Sequence, residues 1–402
     1  MALGQLIGSV TRNLAPYFDE SKGARASKNW LAFVGRGGGV VNFNNDVNEV
    51  KYEITRGSRR VAQLVKRSAV VTGLLGDNAK AVGLGEYTEV SRAFPLSVET
   101  YPIGSDKLTE KLPGEPTEDS DVTRRFRATY WAAKGQTELM SQQIRLANLL
   151  AGQGILSGKQ DSILGDTTSQ YDFYRKSTHL KTLGTPWLSN PATCLPLDDL
   201  DIGIDACVTD SGAMPEFALM GDAAITGLLK STQVKEFADN RTFESFIATN
   251  DTNVCPAKFN FLTANGWECR GSVTTYKGRK LWIFDSEERL ELVAGTTTRS
   301  MPSEKVVLGN TESRLDGQYG PSITFPDDAQ DIRNYQEWFG FMPGATPKGE
   351  PKLTSGVVSP QMFILDAFRN GEKTNLTMRS QMAPLYVPVA TDEWYTIENA
   401  GL

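Results

Sequence analysis

The chain carries one histidine, His179, in 402 residues. A Ser–His triad or a histidine-based metal site would rest on it entirely, so it is read as structural. Cysteine is scarce as well. Cys194, Cys207, Cys255 and Cys269 are the only four, none lies in a CxxC pair, and their spacings match no compact zinc pattern. The opening MALGQLIGSVTRNLAPYF has no basic leader and no long apolar core, so no signal peptide is expected. Free buried thiols are then the expectation, and the sequons at Asn240, Asn250 and Asn375 are chance matches. No run approaches the ~18 apolar residues of a membrane span. Positive charge is not in excess either. A formal charge of −6 and a pI near 5.2 speak against broad nucleic-acid affinity. Contact with a basic partner stays open.

With 40% hydrophobic and 22% charged residues the composition is ordinary, so length sets the domain count, at two or three. Residues 1–50 read as an arm: Leu3, Ile7, Val10 and Leu14 at helical spacing, then the glycine cluster GRGGGVVNF. Residues 51–103 alternate like strands around GLLGDNAKAVGLG and read as a long projecting hairpin. GSDKLTEKLPGEPTEDS (104–120) is a charged linker.

The clearest helix follows. Val122, Phe126, Tyr130, Ala133, Thr137, Met140, Ile144, Ala147 and Ala151 recur on one face, with Leu139, Leu146 and Leu150 beside them. Asp119 or Ser120 can cap its start and Gly152 can end it. Over 121–151 it would run roughly 46 Å, and a solitary helix of that length needs a sheet to lie on. Downstream, 195–208 and 222–239 read as helices. PEFALMG and KVVLGN read as strands, and TTYKGRKLWIFD as a hairpin turning at Lys277-Gly278. This makes 197–345 one α+β unit. SPQMFILDAF and TNLTMRSQMAPLYVPVA flank an Asn370-Gly371 turn. The apolar, proline-punctuated stretch 384–389 thus has a neighbour to pair with.

Three stretches tempt a chemical reading. LAFVGRGGGVV places Val40 where a dinucleotide fingerprint needs its third glycine. GILSGKQ is one residue short of a phosphate loop and has no Ser or Thr after Lys159, so it reads as a helix stop. DDLDIGID sets Gly203 where a calcium loop needs a ligand, so it reads as a capped helix start. No catalytic, cofactor or metal site is expected. One charge pattern stands out. Lys51, Arg56, Arg59, Arg60, Lys66 and Arg67 cluster in the hairpin, and Glu110, Glu115, Glu118, Asp119 and Asp121 in and just after the linker. The basic set either solvates an exposed hairpin or pairs with the acidic set of a neighbouring copy. The second arrangement is head-to-tail and closes into rings.

The order arm, hairpin, long helix, α+β unit and returning strands resembles the tailed-phage major capsid protein of the Hong Kong 97-type fold. RRFRATYWAAKGQTELMSQQIRLANLLAGQGILSGK (124–159), KVVLGNTESRLDGQYGPSITFPDDAQ (305–330) and SQMAPLYVPVATDEWYTIENA (380–400) resemble the phage lambda major head protein family. The likeness runs from about residue 105 to the end. It implies an N-arm (1–50), an extended loop (51–103), a peripheral domain (104–196 and 346–402) with a spine helix over about 121–151, and an axial domain (197–345). It implies a structural protein and no enzyme: hexamers and pentamers forming an icosahedral shell around double-stranded DNA, assembled in the host cytoplasm. The partners it implies are a separate scaffolding protein, a portal and a possible decoration protein, with weak contact to DNA and none to membrane. An encapsulin-like shell of the same fold is the alternative, and an enzyme of unrecognised α+β fold a more distant one.

Overall fold

A computed structural model describes residues 29–35, 41–43, 50–55, 87–92, 95–109, 121–162, 164, 170–239, 255–293, 296–320, 322–323, 357–358, 364–369 and 376–402. The first strands are β1 (Val41–Phe43), β2 (Val50–Thr55), β3 (Tyr87–Arg92) and β4 (Ser97–Ile103). Helix α1 (Ser105–Thr109) and the long α2 (Asp121–Ser157) follow, then β5 (Lys159–Asp161), β6 (Gln170–Asp172) and β7 (Leu180–Thr182). Helix α3 (Pro196–Asp210), β8 (Phe217–Met220), α4 (Asp222–Lys230), α5 (Thr232–Asp239) and α6 (Asn260–Thr263) come next. Then come β9 (Glu268–Thr274), β10 (Lys280–Asp285), β11 (Arg289–Val293), β12 (Thr296–Arg299), β13 (Val306–Gly309) and β14 (Leu315–Tyr319). The chain finishes with β15 (Ser322–Ile323), β16 (Val357–Val358), β17 (Ile364–Arg369), β18 (Leu376–Met382), β19 (Pro384–Pro388) and β20 (Tyr395–Glu398).

The centre is a six-stranded mixed sheet in the order β7-β20-β13-β8-β10-β9. Four of its strands come from 197–345, and β7 and β20 from either side of that stretch. Its inner strands are buried on both faces, and the period of two deals their side chains to two cores. Ala218, Met220, Val306, Leu308, Leu281, Ile283, Tyr395 and Ile397 face one core, covered by α3, α4 and α5. Phe217, Leu219, Val307, Phe284 and Trp394 face the other, covered by the C-terminal half of α2 and a 3-10 turn at Trp30–Phe33. Glycine at 278, with φ +74, makes the expected turn between β9 and β10.

Helix α2 differs from its sequence reading in two ways. It passes through Gly152 and stops at Ser157, before Gly158. Its buried stripe is Ala132, Gly135, Leu139, Gln143, Ala147, Leu150 and Ala151, whereas Tyr130 is exposed and Ala133, Thr137, Met140 and Ile144 are half-buried. The stripe is displaced because close packing selects small or hydrogen-bonding residues. Tyr101 and Met378 press on Gly135, and Gln143 donates to the Ser380 hydroxyl at 3.0 Å. Two smaller differences follow. A short helix, α1, opens the linker, and the helix expected over 222–239 is two helices broken at Ser231, whose hydroxyl accepts from the Val234 amide.

Beneath α2 lie two three-stranded sheets, β17-β18-β4 and β1-β14-β19. Strand β18 leads through Ala383 directly into β19, so one nearly continuous ribbon serves both. β17 and β18 pair antiparallel, as do β2 and β3, the base of the hairpin expected over 51–103; residues 56–86 and 370–375 lie outside the described residues. The helical stripe expected at Leu3–Leu14 lies outside them too.

The prolines of β19 follow from its position at a sheet edge. Val389 donates to the Arg314 carbonyl on the β14 side and Ala383 accepts from Gly320, so odd-numbered residues bond β14. Pro384, Tyr386 and Pro388 point the other way, where no strand pairs with β19 among the described residues. Proline has no N–H to leave unpaired there. The one remaining donor, Tyr386 N–H, reaches the Gln160 side chain at 2.9 Å, and Gln160 Nε2 donates to the Pro384 carbonyl at 3.1 Å. Gln160 is fully buried and acts as a single residue of a missing strand. Gln160→Leu strands one amide and one carbonyl. It should lower unfolding stability by about 2 kcal/mol, read as the shift in urea midpoint of the isolated subunit; an unchanged midpoint would contradict this role.

Candidate functional site

Of the residues in the charge pattern, Lys51 lies in β2, opposite Ser91, and its side chain is outside the described residues. Asp121 is the first residue of α2, its side chain likewise outside them. Arg56, Arg59, Arg60, Lys66, Arg67, Glu110, Glu115, Glu118 and Asp119 lie wholly outside the described residues.

The side chains with reactive chemistry are engaged in holding the chain together. In the aspartate-rich stretch, Asp199 accepts from Lys181 Nζ at 2.7 Å and from the Trp187 indole at 2.9 Å. Asp205 takes the other direction and holds Lys277 and Arg279. The carboxylates diverge rather than converge, and among the described residues no three His, Cys, Asp or Glu side chains could grip a metal ion. No helix of the described residues is long and apolar enough to cross a membrane. Burial pushes the Cys207 thiol up to about 12 and raises Cys194 as well, so neither is a nucleophile at neutral pH. GILSGKQ is the end of α2, and Leu31-Ala32-Phe33 lies in the 3-10 turn rather than in a strand.

What the structure does bring together is a junction between α2 and the six-stranded sheet, made in two places. The first is the tether at Asn29–Val34. Its polar groups enter the core only because a closed network satisfies them. Asn29 donates to the Ser286 and Ser300 hydroxyls at 3.0 and 3.1 Å and accepts from Asn148 of α2. Asn148 Oδ1 accepts the Trp30 amide at 2.8 Å, while its Nδ2 reaches Glu288 at 3.1 Å. The Trp267 indole donates to the Asn29 carbonyl at 2.8 Å. Trp30 lies against Gly152, where an added Cβ would stand 2.9 Å from the indole; this is why α2 carries glycine there without ending. The sequence hint is one polar residue, Asn148, beside the apolar stripe.

The second place is the C-terminal end of α2. Arg175 Nη1 donates to the Ile155 carbonyl at 2.8 Å and sits on the helix's negative end. Its stem is partly exposed, but Nε and Nη2 are buried without a hydrogen-bond partner among the described residues. Burial pulls the guanidinium down to about 10, against the opposing fields of Cys207, Asp392, Tyr395 and Glu398; it stays charged at neutral pH. Next to it, Lys176 pairs with Asp210 at 2.9 Å and with buried Asp392 at 3.4 Å. His179 meets Asp210 at 2.8 Å through Nε2 and the Trp394 carbonyl at 3.0 Å through Nδ1. Both ring nitrogens are engaged, so the imidazole is held at both ends. This cluster, which no local sequence signal marks, links α2, α3 and the segment 391–398.

These contacts make two testable statements. Asn148→Leu keeps the volume but removes the acceptor of the Leu31 amide and one of the two acceptors of the Trp30 amide, which should cost about 2 kcal/mol and expose the 29–35 tether to protease; unchanged proteolysis would refute the tether. The Asp210 carboxyl is pushed up by burial, yet the His179 and Lys176 hydrogen bonds hold it below the usual range. Its stabilisation is therefore full above about pH 4 and lost as the pH falls through the lowered value. Asp210→Asn should be less stable than wild type at neutral pH, with the difference shrinking on acidification; a pH-independent difference would remove the linkage.

A long helix lying over two small sheets, and joined at its end to a sheet whose inner strands are buried, makes a mixed helix-and-sheet fold. The chain matches the solved structure of a protein assigned as the capsid protein of a prophage in E. coli CFT073 with a TM-score of 0.58. The match spans 96% of this chain and 98% of the other, at 14% identity. A phage-related protein of Bordetella bronchiseptica RB50 gives 0.43 at 10% identity over 99% and 97%. The holo-SrpI encapsulin complex of Synechococcus elongatus PCC 7942 gives 0.36 at 12% identity over 93% and 88%. No protein-family model matches the chain, and no curated protein matches it in sequence. At such identities the likeness is one of fold.

Proposed function

We propose that the chain is the major head protein of a tailed bacteriophage, the repeating subunit of an icosahedral shell around double-stranded DNA. The observation that carries this reading is the end-to-end match in fold to the prophage protein. The sequence stretches at 124–159, 305–330 and 380–400 support the finer assignment, a Hong Kong 97-type subunit akin to the lambda major head protein. In this reading α2 is the spine of a peripheral domain (104–196 and 346–402). The unit 197–345 is the axial domain meeting its copies in hexamers and pentamers. Residues 1–50 are the N-arm and 51–103 the extended loop over a neighbour.

The work of such a subunit is interface geometry, and the protein is no enzyme. The junction fits that task, since charged and polar groups lock α2 to the central sheet so that force on one is transmitted to the other. Assembly takes place in the host cytoplasm with a separate scaffolding protein and a portal, and with a decoration protein as a further candidate partner. The net charge of −6 leaves packaged DNA loosely held.

Sedimentation velocity of the protein co-expressed with its neighbouring genes, with electron microscopy of the fast fraction, tests the reading. Closed shells or five- and six-membered rings are expected. A monomer under all co-expression conditions would overturn it. Reversing Arg59 and Arg60 to Glu should weaken assembly, and more so at low salt, where exposed charges act over a longer range. Unchanged assembly would assign both arginines to solvation.

A further inference from the structure

Four cysteines scattered over 76 residues of sequence carry no pairing signal, yet the fold brings two of them together. Cys269 lies on β9, directly opposite Phe284 of β10. Phe259, four residues beyond Cys255, packs against Phe284 with ring centroids 5.4 Å apart and against Trp282 at 6.3 Å. The Trp267 amide donates to the Leu262 carbonyl at 3.1 Å, which folds the intervening chain back on itself. The Cys255 and Cys269 side chains thus border the same apolar cluster, close enough for one thiol to act on the other. Both are free and only partly buried.

We propose that Cys255 and Cys269 form a redox-responsive dithiol that closes to an intrachain disulfide once the protein leaves a reducing compartment. The oxidant is a low-molecular-weight disulfide. One protein thiolate attacks it and releases one small thiol, leaving a mixed disulfide. The second protein sulfur then displaces the other small thiol. The dithiol loses two electrons and two protons, and the small disulfide gains them as two thiols. The ratio of small thiol to small disulfide keeps the pair open under reducing conditions; burial, together with the neighbouring Cys269, raises the Cys255 thiol to about 12, so the first attack falls to Cys269. Cys194 and Cys207 are buried, each with its thiol turned to a backbone carbonyl, that of Trp187 and that of Glu393, and take no part.

The bond would have a mechanical consequence. β9 is the outer strand of the central sheet among the described residues, and Cys255 stands at the start of the excursion that returns to it. The disulfide closes that excursion into a ring and ties its beginning to the sheet. The chemistry does not depend on what the chain assembles into. In a shell that passes from cytoplasm to the extracellular medium, the bond would form after assembly.

The test uses the full-length protein, reduced, freed of reductant, and incubated with glutathione disulfide. It is then alkylated in denaturant and mapped without reduction. The expected product is a peptide pair linked through Cys255 and Cys269, lighter by two hydrogens and free of glutathione, with Cys194 and Cys207 alkylated. Hydrogen exchange over 256–268 should slow in the oxidised form. Stable glutathione adducts on Cys255 or Cys269, alkylation of both, or a bond between two chains would overturn the proposal. So would unchanged exchange in the oxidised form, for the tethering. In Cys255→Ser and, separately, Cys269→Ser, the remaining partner should accumulate one glutathione, because no second sulfur is present to displace it. Failure of both variants to do so, with wild-type circular dichroism, would show that the sulfurs are not exposed to the oxidant at all.

Discussion

The inner strands of the central sheet have no solvent face. Each must place alternate side chains in two separate cores, and this one constraint organises the molecule. In β8, Ala218 and Met220 face the helices while Phe217 and Leu219 face the tether and α2. A shift of one residue in register would exchange the two sets, placing phenylalanine where alanine fits. The helices, the spine and the N-terminal tether are therefore not independent layers. Each covers one face of the same sheet, and none can be withdrawn without exposing fully buried residues, Met220 and Leu308 on the helix side or Phe217 and Trp394 on the other.

A sheet covered on both sides needs its covers fixed, and apolar packing alone does not fix an angle. The two polar junctions supply that. Asn29 and Asn148 join the tether to the middle of α2. Arg175, Lys176, His179, Asp210 and Asp392 join its end to α3 and to the last residues of the chain. Each group lies where an unpaired donor or charge would be costly, so each accepts a narrow range of positions. Residues far apart in sequence, 29 and 300 or 179 and 394, are in this way held at hydrogen-bond distance.

Much of this is legible in the amino-acid sequence. The helix over 121–151, the buried strands at 217–220 and 306–309, the turn at Gly278 and the helix beginning at Pro196 all follow from periodicity and turn chemistry. The contact face of α2 does not, because hydrophobicity marks large side chains whereas the closest contacts are made at Gly135, Gln143 and Gly152. The end of α2 is obscured for the same reason: Gly152 serves the Trp30 indole, not helix termination. The junction is invisible because its members are single polar residues dispersed over the whole chain, and nothing local marks Arg175 or Asp392 as partners. The pairing of Cys255 with Cys269 needs β9 and β10 to be in register first. The charged residues of the hairpin and linker are legible as a pattern, and a pattern of charge alone names no partner.

The closed edge of β19 bears on what a second chain can add to this one. An open strand edge is an unselective adhesive: any extended segment can add to it, in any register, and propagate. Subunits that gather at high local concentration are exposed to that hazard more than dilute proteins are. Two prolines and the side-chain amide of Gln160 leave β19 with no free backbone N–H on its outer side. Association is then left to surfaces with shape and charge, which can be specific and reversible, and one route by which crowding would turn into aggregation is shut within the subunit itself.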